Sequence, residues 1–265
     1  MDDREIFGTD VQLPSKGLLY GGKVPDGNVK VSPMTTREEK VLTAASGGEA
    51  TYQIINAVFS RCISGLADLS MDDLLLGDRF YLLLVLRAVT FGKDYSFRIN
   101  CTNCGQRNNQ KIELPDDLDT VYLPDNFIEP IRITLPVSNA EVGLRLLRGK
   151  DEFRISKYLK KLNAKATVPL GIDPAYTYRL ACQITDVKSQ SLNCINETDN
   201  SHNQIMLWID NLVGKDTAEI RQALTNADCG PSTELILDCQ RCATPFTTTM
   251  PYDIEFFRPG SRRST

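Results

Sequence analysis

The sequence has a single histidine and lacks a glycine-rich phosphate loop, a nucleophile elbow and a paired-carboxylate motif. It therefore lacks the groupings that hydrolases and transferases are usually built on. The one histidine, His202, lies in the polar run Asp199-Asn-Ser-His-Asn203 and is expected to be exposed and uninvolved in chemistry. Apolar stretches fall far short of the roughly 20 residues of a spanning helix. The opening Met1-Asp-Asp-Arg-Glu5 is charged where a signal peptide is basic and then apolar, so the chain is expected to stay in the compartment where it is made. An excess of charge is also missing. Thirty Lys and Arg against 34 Asp and Glu give −4, so no whole-protein field draws the chain to nucleic acid or anionic lipid. These absences point to a non-enzymatic protein with no membrane partner and no small-molecule substrate.

Cysteine, by contrast, is plentiful, with eight in 265 residues. Four form two knuckles with a two-residue gap, Cys101-Thr-Asn-Cys104 and Cys239-Gln-Arg-Cys242, each between strand-like segments. That gap lets both sulfurs of a tight turn face one point, as in a zinc ribbon. In a reducing cytosol paired cysteines favour metal over disulfides. The reading is a structural Zn²⁺ held by Cys101, Cys104, Cys239 and Cys242, since four thiolates leave no open position for catalysis. Iron in the same cage, two pairs of free thiols and a thioredoxin-like redox pair remain open. The redox pair is disfavoured because neither knuckle opens a helix that lowers a thiol pKa. Gly105 suits the turn after the first knuckle, and Ala243 in the matching place suits it less. Cys62, Cys182, Cys194 and Cys229 are expected to be core or loop thiols.

With 42% hydrophobic residues the chain can bury a sizeable core. The expected class is α+β, a two-knuckle zinc-ribbon-like β element with inserted helical segments and an extended N-terminal β region. Residues 1–35, rich in Gly and Pro, form that extended segment. Lys16, Gly17 and Tyr20 are either a contact element for a neighbouring subunit or part of a turn packed on the chain's own core. Residues 36–93 are helical. Thr36 to Glu39 form a capping box, a second helix runs over 50–63, and a cap at Ser70 precedes an apolar helix through Val89. Arg79 and Arg87 interrupt that helix and need carboxylate partners, for which Asp72, Asp73 and Asp78 are near. Residues 94–114 and 232–250 make the split ribbon. The insertion, 115–231, opens with a loop or linker to Pro136 and a strand at Ile131, Ile133 and Leu135. Helices follow over 150–162 and 173–184, then a polar hairpin or loop over 185–200, a helix face at Ile205 to Leu212 and a helix capped at Asp216. A C-terminal tail occupies 251–265. The basic stripe of Arg154, Lys157 and Lys161 is read as a solvated face.

Several blocks in order carry a resemblance: Leu13-Pro-Ser-Lys-Gly-Leu-Leu-Tyr20, Val31-Ser-Pro-Met-Thr-Thr36 with Glu38-Glu39 and Leu42-Thr43, and Leu76-Gly-Asp-Arg79 leading to Leu86-Arg87. The first knuckle, Leu147-Arg-Gly-Lys-Asp-Glu152, Trp208-Ile-Asp-Asn211, Lys215-Asp216, the second knuckle and Phe256-Phe-Arg-Pro259 follow. Taken together, the chain resembles the T-even-type bacteriophage baseplate family, which includes a baseplate hub protein and related tail-assembly proteins. The resemblance implies a non-catalytic component of a contractile tail, with hub and tape-measure subunits as partners, located in the virion baseplate or in the host cytoplasm during assembly. The rival readings are a tail-assembly chaperone absent from the virion, a zinc-ribbon nucleic-acid adaptor using Arg107, Lys111, Arg241, Lys157 and Lys161, and a thiol oxidoreductase.

Overall fold

The computed structural model describes residues 7–43, 48–163, 173, 175–189, 192–196, 199–251 and 254–257. Helices and small antiparallel sheets share the chain. At the N-terminal end, β1 (Thr9–Gln12), β2 (Asn28–Val31) and β3 (Ile63–Ser64) form one sheet with β2 central. Val29 and Val31 alternate with Asn28 and Lys30, so one face of β2 is apolar and both valines are buried. Between β1 and β2 the chain coils on itself. Gly17 has φ +72°, and a Cβ there would sit 2.1 Å from the Val24 carbonyl oxygen. The Tyr20 hydroxyl donates to Asp78 Oδ2 at 2.5 Å and accepts the Leu75 N–H at 2.9 Å. Lys16 pairs with Asp125 at 2.5 Å. Thus Gly17 and Tyr20 serve the chain's own core, and Lys16 holds an internal loop.

Three helices pack on this sheet: α1 (Thr36–Thr43), α2 (Gly48–Cys62) and α3 (Leu76–Phe91). The capping box of α1 sits one residue earlier than the sequence pattern places it. Glu38 Oε2 accepts the Thr35 N–H (2.9 Å), and Thr35 Oγ1 accepts the Arg37 N–H (3.3 Å). The expected end of this helix near Gly47 lies outside the described residues. Ser70 closes a turn with Asp73 instead of capping a helix, and α3 begins six residues after it. The sequence of α3 is apolar all round because it separates two cores, with Leu82 and Val85 facing the N-terminal one and Leu84 facing the next.

Both arginines of α3 find partners other than the expected carboxylates. Arg79 Nη1 donates to Asn56 Oδ1 and the Met71 carbonyl, each at 2.8 Å, and its guanidinium lies 5.0 Å from the Tyr52 ring centroid. Its nearest carboxylate is Glu152, at 3.9 Å. Arg87 donates to the Gly92 carbonyl and lies over Tyr95 at 5.3 Å. A weakly hydrated, planar guanidinium tolerates such aromatic and carbonyl surroundings. Asp78 is taken by Ser15 and Tyr20, Asp72 by Tyr52 and Asn56, and Asp73 by Lys150.

Beyond α3, β4 (Asp94–Asn100) and β5 (Arg107–Glu113) form a hairpin, and β6 (Thr120–Val121) follows. The stretch expected as a loop or linker is a loop packed into the fold, for Leu118 and Leu123 are buried. The insertion then builds a sheet from β7 (Ile131–Thr134), β8 (Glu141–Leu144), β9 (Ile184–Ser189) and β10 (Leu192–Asn196), in the order β10-β9-β8-β7. Helices α4 (Gly149–Asn163), α5 (Tyr176–Gln183), α6 (Asp199–Asp210) and α7 (Gly214–Ala227) accompany it. Asp216 lies inside the first turn of α7 and is buried. Its carboxylate accepts the Val137 and Ser138 N–H groups (2.8 and 3.0 Å), tying α7 to the β7–β8 turn. His202 is half-buried with its ring edge-on to Tyr178 at 4.5 Å, so the expectation of an exposed residue fails. Arg154, Lys157 and Lys161 are exposed on α4, as a solvated face requires.

Finally β11 (Gly230–Pro231) pairs with β6, and β12 (Glu234–Asp238) with β13 (Pro245–Thr249). Tyr95, Phe97, Leu235, Met250 and Phe256 join Leu84 in the core beneath the two hairpins. Among the described residues, no helix is long and apolar enough to cross a membrane.

Burial holds the Asp78 carboxyl above the usual carboxylate range, while the donors from Ser15 and Tyr20 oppose this. A carboxyl with a raised folded pKa contributes its full stability below the unfolded value of about 4, and loses it as pH rises through the folded one. Tyr20→Phe removes a donor that the charged form needs. Urea unfolding should show a loss of about 1–3 kcal/mol at neutral pH and a smaller loss in acid, where Asp78 is protonated. Lys16→Ala, at a partly exposed pair, should cost no more than about 1 kcal/mol.

Candidate metal centre

The knuckles are the turns of the β4–β5 and β12–β13 hairpins, and they repeat one another bond for bond. Each first cysteine sulfur accepts the N–H two residues on, Asn103 to Cys101 and Arg241 to Cys239, both at 3.4 Å. Each first cysteine carbonyl accepts the N–H four residues on, from Gly105 and Ala243, both at 2.9 Å. Each first cysteine N–H donates to the carbonyl five residues on, Gln106 (2.8 Å) and Thr244 (3.2 Å). Closing such a turn requires a left-handed residue at its end. Gly105 supplies it at φ +70°, and Ala243 adopts it at φ +53° despite its Cβ. The alanine thus occupies the same place as the glycine, at a cost.

The tips meet. Cys104 Sγ lies 3.6 Å from Cys239 Sγ, and Cys101 Sγ lies 3.9 Å from Cys242 Sγ. All four sulfurs fall within 4.8 Å of one another. Four thiolates about 2.3 Å from a tetrahedral ion stand roughly 3.8 Å apart, so the cluster already has the dimensions of a metal cage. The spacings are too long for a disulfide, near 2.05 Å. Cys101 and Cys239 are buried, Cys104 and Cys242 half-buried, and Phe246, Ile99 and Leu237 pack beneath them.

Direct bonds hold the hairpins in this relation. Asn108 is fully buried. Its Oδ1 accepts the Gln240 N–H (2.8 Å), and its Nδ2 donates to the Gln106 carbonyl (2.8 Å). Gln240 Nε2 returns a bond to the Asn109 carbonyl at 2.9 Å. Sequence reading passed over Asn108, yet there was a signal: it shares the inward register of β5 with Ile112, where an amide needs a partner. Thiol acidity is divided between the tips. The Thr244 hydroxyl and N–H hold Cys242 down to about 6, and the backbone of Cys242 lowers Cys239. The Gln106 amide draws on Cys104, but burial and the neighbouring sulfurs push it up to about 11. The second knuckle therefore holds the more acidic thiols, and the thiolate is the form that ligates metal.

Residues of the nucleic-acid reading are divided between two places. Arg107, Lys111 and Arg241 lie on the hairpins, where Lys111 is matched by Asp94 at 2.9 Å. Lys157 and Lys161 lie on α4, which packs against α2 and α5. Cys62, Cys182 and Cys229 are buried core thiols, while the Cys194 side chain is outside those described.

The sequence blocks are also brought together in space. Leu76 N–H donates to the Leu147 carbonyl, Gly149 N–H to that of Leu74, and Lys150 N–H to that of Asp72. A family described as T4 bacteriophage base plate protein matches residues 18–258. The chain belongs to that family. No curated protein and no solved structure matches it. The match to the base plate protein family takes in both knuckles, so the sulfur cluster lies inside the family region.

The paired turns give a test with opposite signs. Gly105→Ala forces a Cβ into the left-handed region and should destabilise this base plate protein by about 1 kcal/mol. Ala243→Gly relieves the same strain, less glycine's entropy cost, and should be neutral or stabilising by up to about 1 kcal/mol. Thermal unfolding of both variants checks this.

Proposed function

We propose that this base plate protein is a non-enzymatic structural component of the baseplate hub, and that Cys101, Cys104, Cys239 and Cys242 hold a zinc ion in a split ribbon. The carrying observation is the convergence of four sulfurs from two matching knuckles. A complete tetrathiolate shell leaves zinc no open position, so the ion stiffens the fold and activates no water. Borderline-soft zinc suits four thiolates without demanding redox control. Partners are other tail proteins, hub and tape-measure subunits among them, and the protein's place is the tail of the virion. The reading draws on the family match for the machine and on the sequence resemblance for the hub.

Quantitative mass spectrometry of purified virions against infected-cell lysate tests the placement. Recovery in the virion at a fixed ratio to known hub proteins supports it, while presence in lysate and absence from virions identifies an assembly factor instead. For the metal, Cys101→Ser and Cys242→Ser should each lose zinc by elemental analysis and lower the unfolding midpoint. Cys62→Ser and Cys194→Ser should keep it. Equal zinc content in all four variants removes the assignment. Acidification should release the ion from the intact chain, because protons compete for thiolates.

A further inference from the structure

The sulfur atoms are arranged in pairs across the hairpins as well as in a cluster. Cys104 faces Cys239 and Cys101 faces Cys242, and in each pair one sulfur is buried and the other half-buried. The hairpins are kept at this distance by protein bonds: Asn108 to Gln240, Gln240 to Asn109, and Gln110 Nε2 to the Asp238 carbonyl at 3.3 Å. Closeness of the pairs therefore does not depend on an ion. We propose that the site is a redox-convertible clamp, which on four-electron oxidation, two electrons for each bond, exchanges its metal for two disulfides, Cys101–Cys242 and Cys104–Cys239. The starting state rests on the zinc reading above, whereas the pairing rests on the sulfur positions.

A peroxide is the oxidant. Half-buried Cys104 or Cys242, ionised as a ligand of the metal, attacks one peroxide oxygen, the O–O bond breaks, and a sulfenic acid forms with release of hydroxide. The buried partner's thiolate then attacks the sulfenic sulfur, makes the S–S bond and expels a second hydroxide. Each disulfide consumes one peroxide and two thiolates. Two disulfides consume the whole ligand set, and the divalent ion leaves. Each pair must close by roughly 1.5–2 Å to reach disulfide length.

The consequence is mechanical. Bonds inside a knuckle would leave the hairpins tied by amides alone, whereas bonds across them join residues 135 and 141 positions apart, as the ion does. A tail protein is made where thiols are kept reduced, and the released particle meets an oxidising medium. A clamp of this kind stays shut in both.

The test uses the full chain purified under reductant, freed of it, and titrated with hydrogen peroxide while a zinc-binding chromophore reads release. After alkylation of remaining thiols, digestion without reduction and mass spectrometry map the bonds. The expected result is one zinc released per two peroxides, cross-linked peptides Cys101–Cys242 and Cys104–Cys239, and alkylated Cys62, Cys182 and Cys229. The oxidised chain should unfold within a few degrees of the zinc-loaded one, and well above chain stripped by chelator under reductant. Bonds within Cys101–Cys104 and Cys239–Cys242, or oxidation to sulfinic acids without cross-links, overturn the proposal. A chain that carries no zinc but still forms the cross pairs refutes the zinc reading and leaves the pairing standing.

Discussion

Asp78 is a fully buried carboxylate bonded to a segment 63 residues upstream, and much of the molecule is arranged around the helix start that carries it. Leu76, Gly77, Asp78 and Arg79 each bind a different part of the chain. Leu76 takes the carbonyl of Leu147. Gly77 lies so close to the second hairpin's approach that a Cβ would stand 1.8 Å from the Cys229 carbonyl oxygen. Asp78 holds the coil between β1 and β2 through Ser15 and Tyr20, and Arg79 holds α2 through Asn56. Losing the Asp78 partners strands a charge away from water, a penalty larger than any single surface pair can offset. That is the physical content of a four-residue block which, as sequence, reads only as a helix start.

The same helix start explains how the long insertion returns. From the first knuckle the chain departs, builds the four-stranded sheet and its helices, and comes back at β11 against β6 and Gly77 before it reaches the second knuckle. Cys101 and Cys242 are thus brought together twice, once by backbone packing at the base and again by the sulfurs at the tip. In isolated zinc peptides the metal supplies on the order of 10 kcal/mol and the whole fold depends on it. Here packing already closes the loop, so an ion held by the four sulfurs would stiffen the tips and would not be needed to bring them together.

What the sequence made legible was local. Knuckle spacing, flanking alternation at Tyr95, Phe97 and Ile99, and the helical period of Ile155 and Leu159 each depend on neighbours within a few residues, and the structure carries strands and a helix there. Carboxylate partners were illegible for the opposite reason. Asp216 resembles a helix cap because an acid near a helix start usually is one, but its oxygens go to Val137 and Ser138, 79 and 78 residues away. Arg79 and Arg87 were matched to the nearest acids, whereas folding offered aromatic faces and amide oxygens from distant segments. For Tyr20 the sequence leaves a contact element and a self-packed turn equally open, because a lone tyrosine among glycines and prolines carries no period that marks it as inward.

Along the two hairpins an apolar core gives way to a cluster of four sulfurs. Their bases stand on a cluster of nine buried apolar side chains, including Tyr95, Phe97, Leu235 and Phe256, each worth roughly 1.5–3 kcal/mol when fully buried. At the tips the inward positions turn polar, with Asn108 and Gln240 bonded across the gap, and Phe246 is the one fully apolar buried side chain in the small cluster around the sulfurs. Hydrophobic burial there is too slight to hold two turns of left-handed backbone, one of them an alanine. The amide bonds set the spacing of the tips, and bonding through sulfur, to an ion or to another sulfur, would add the stiffness that apolar packing does not, so the tips and not the bases should loosen where it is absent.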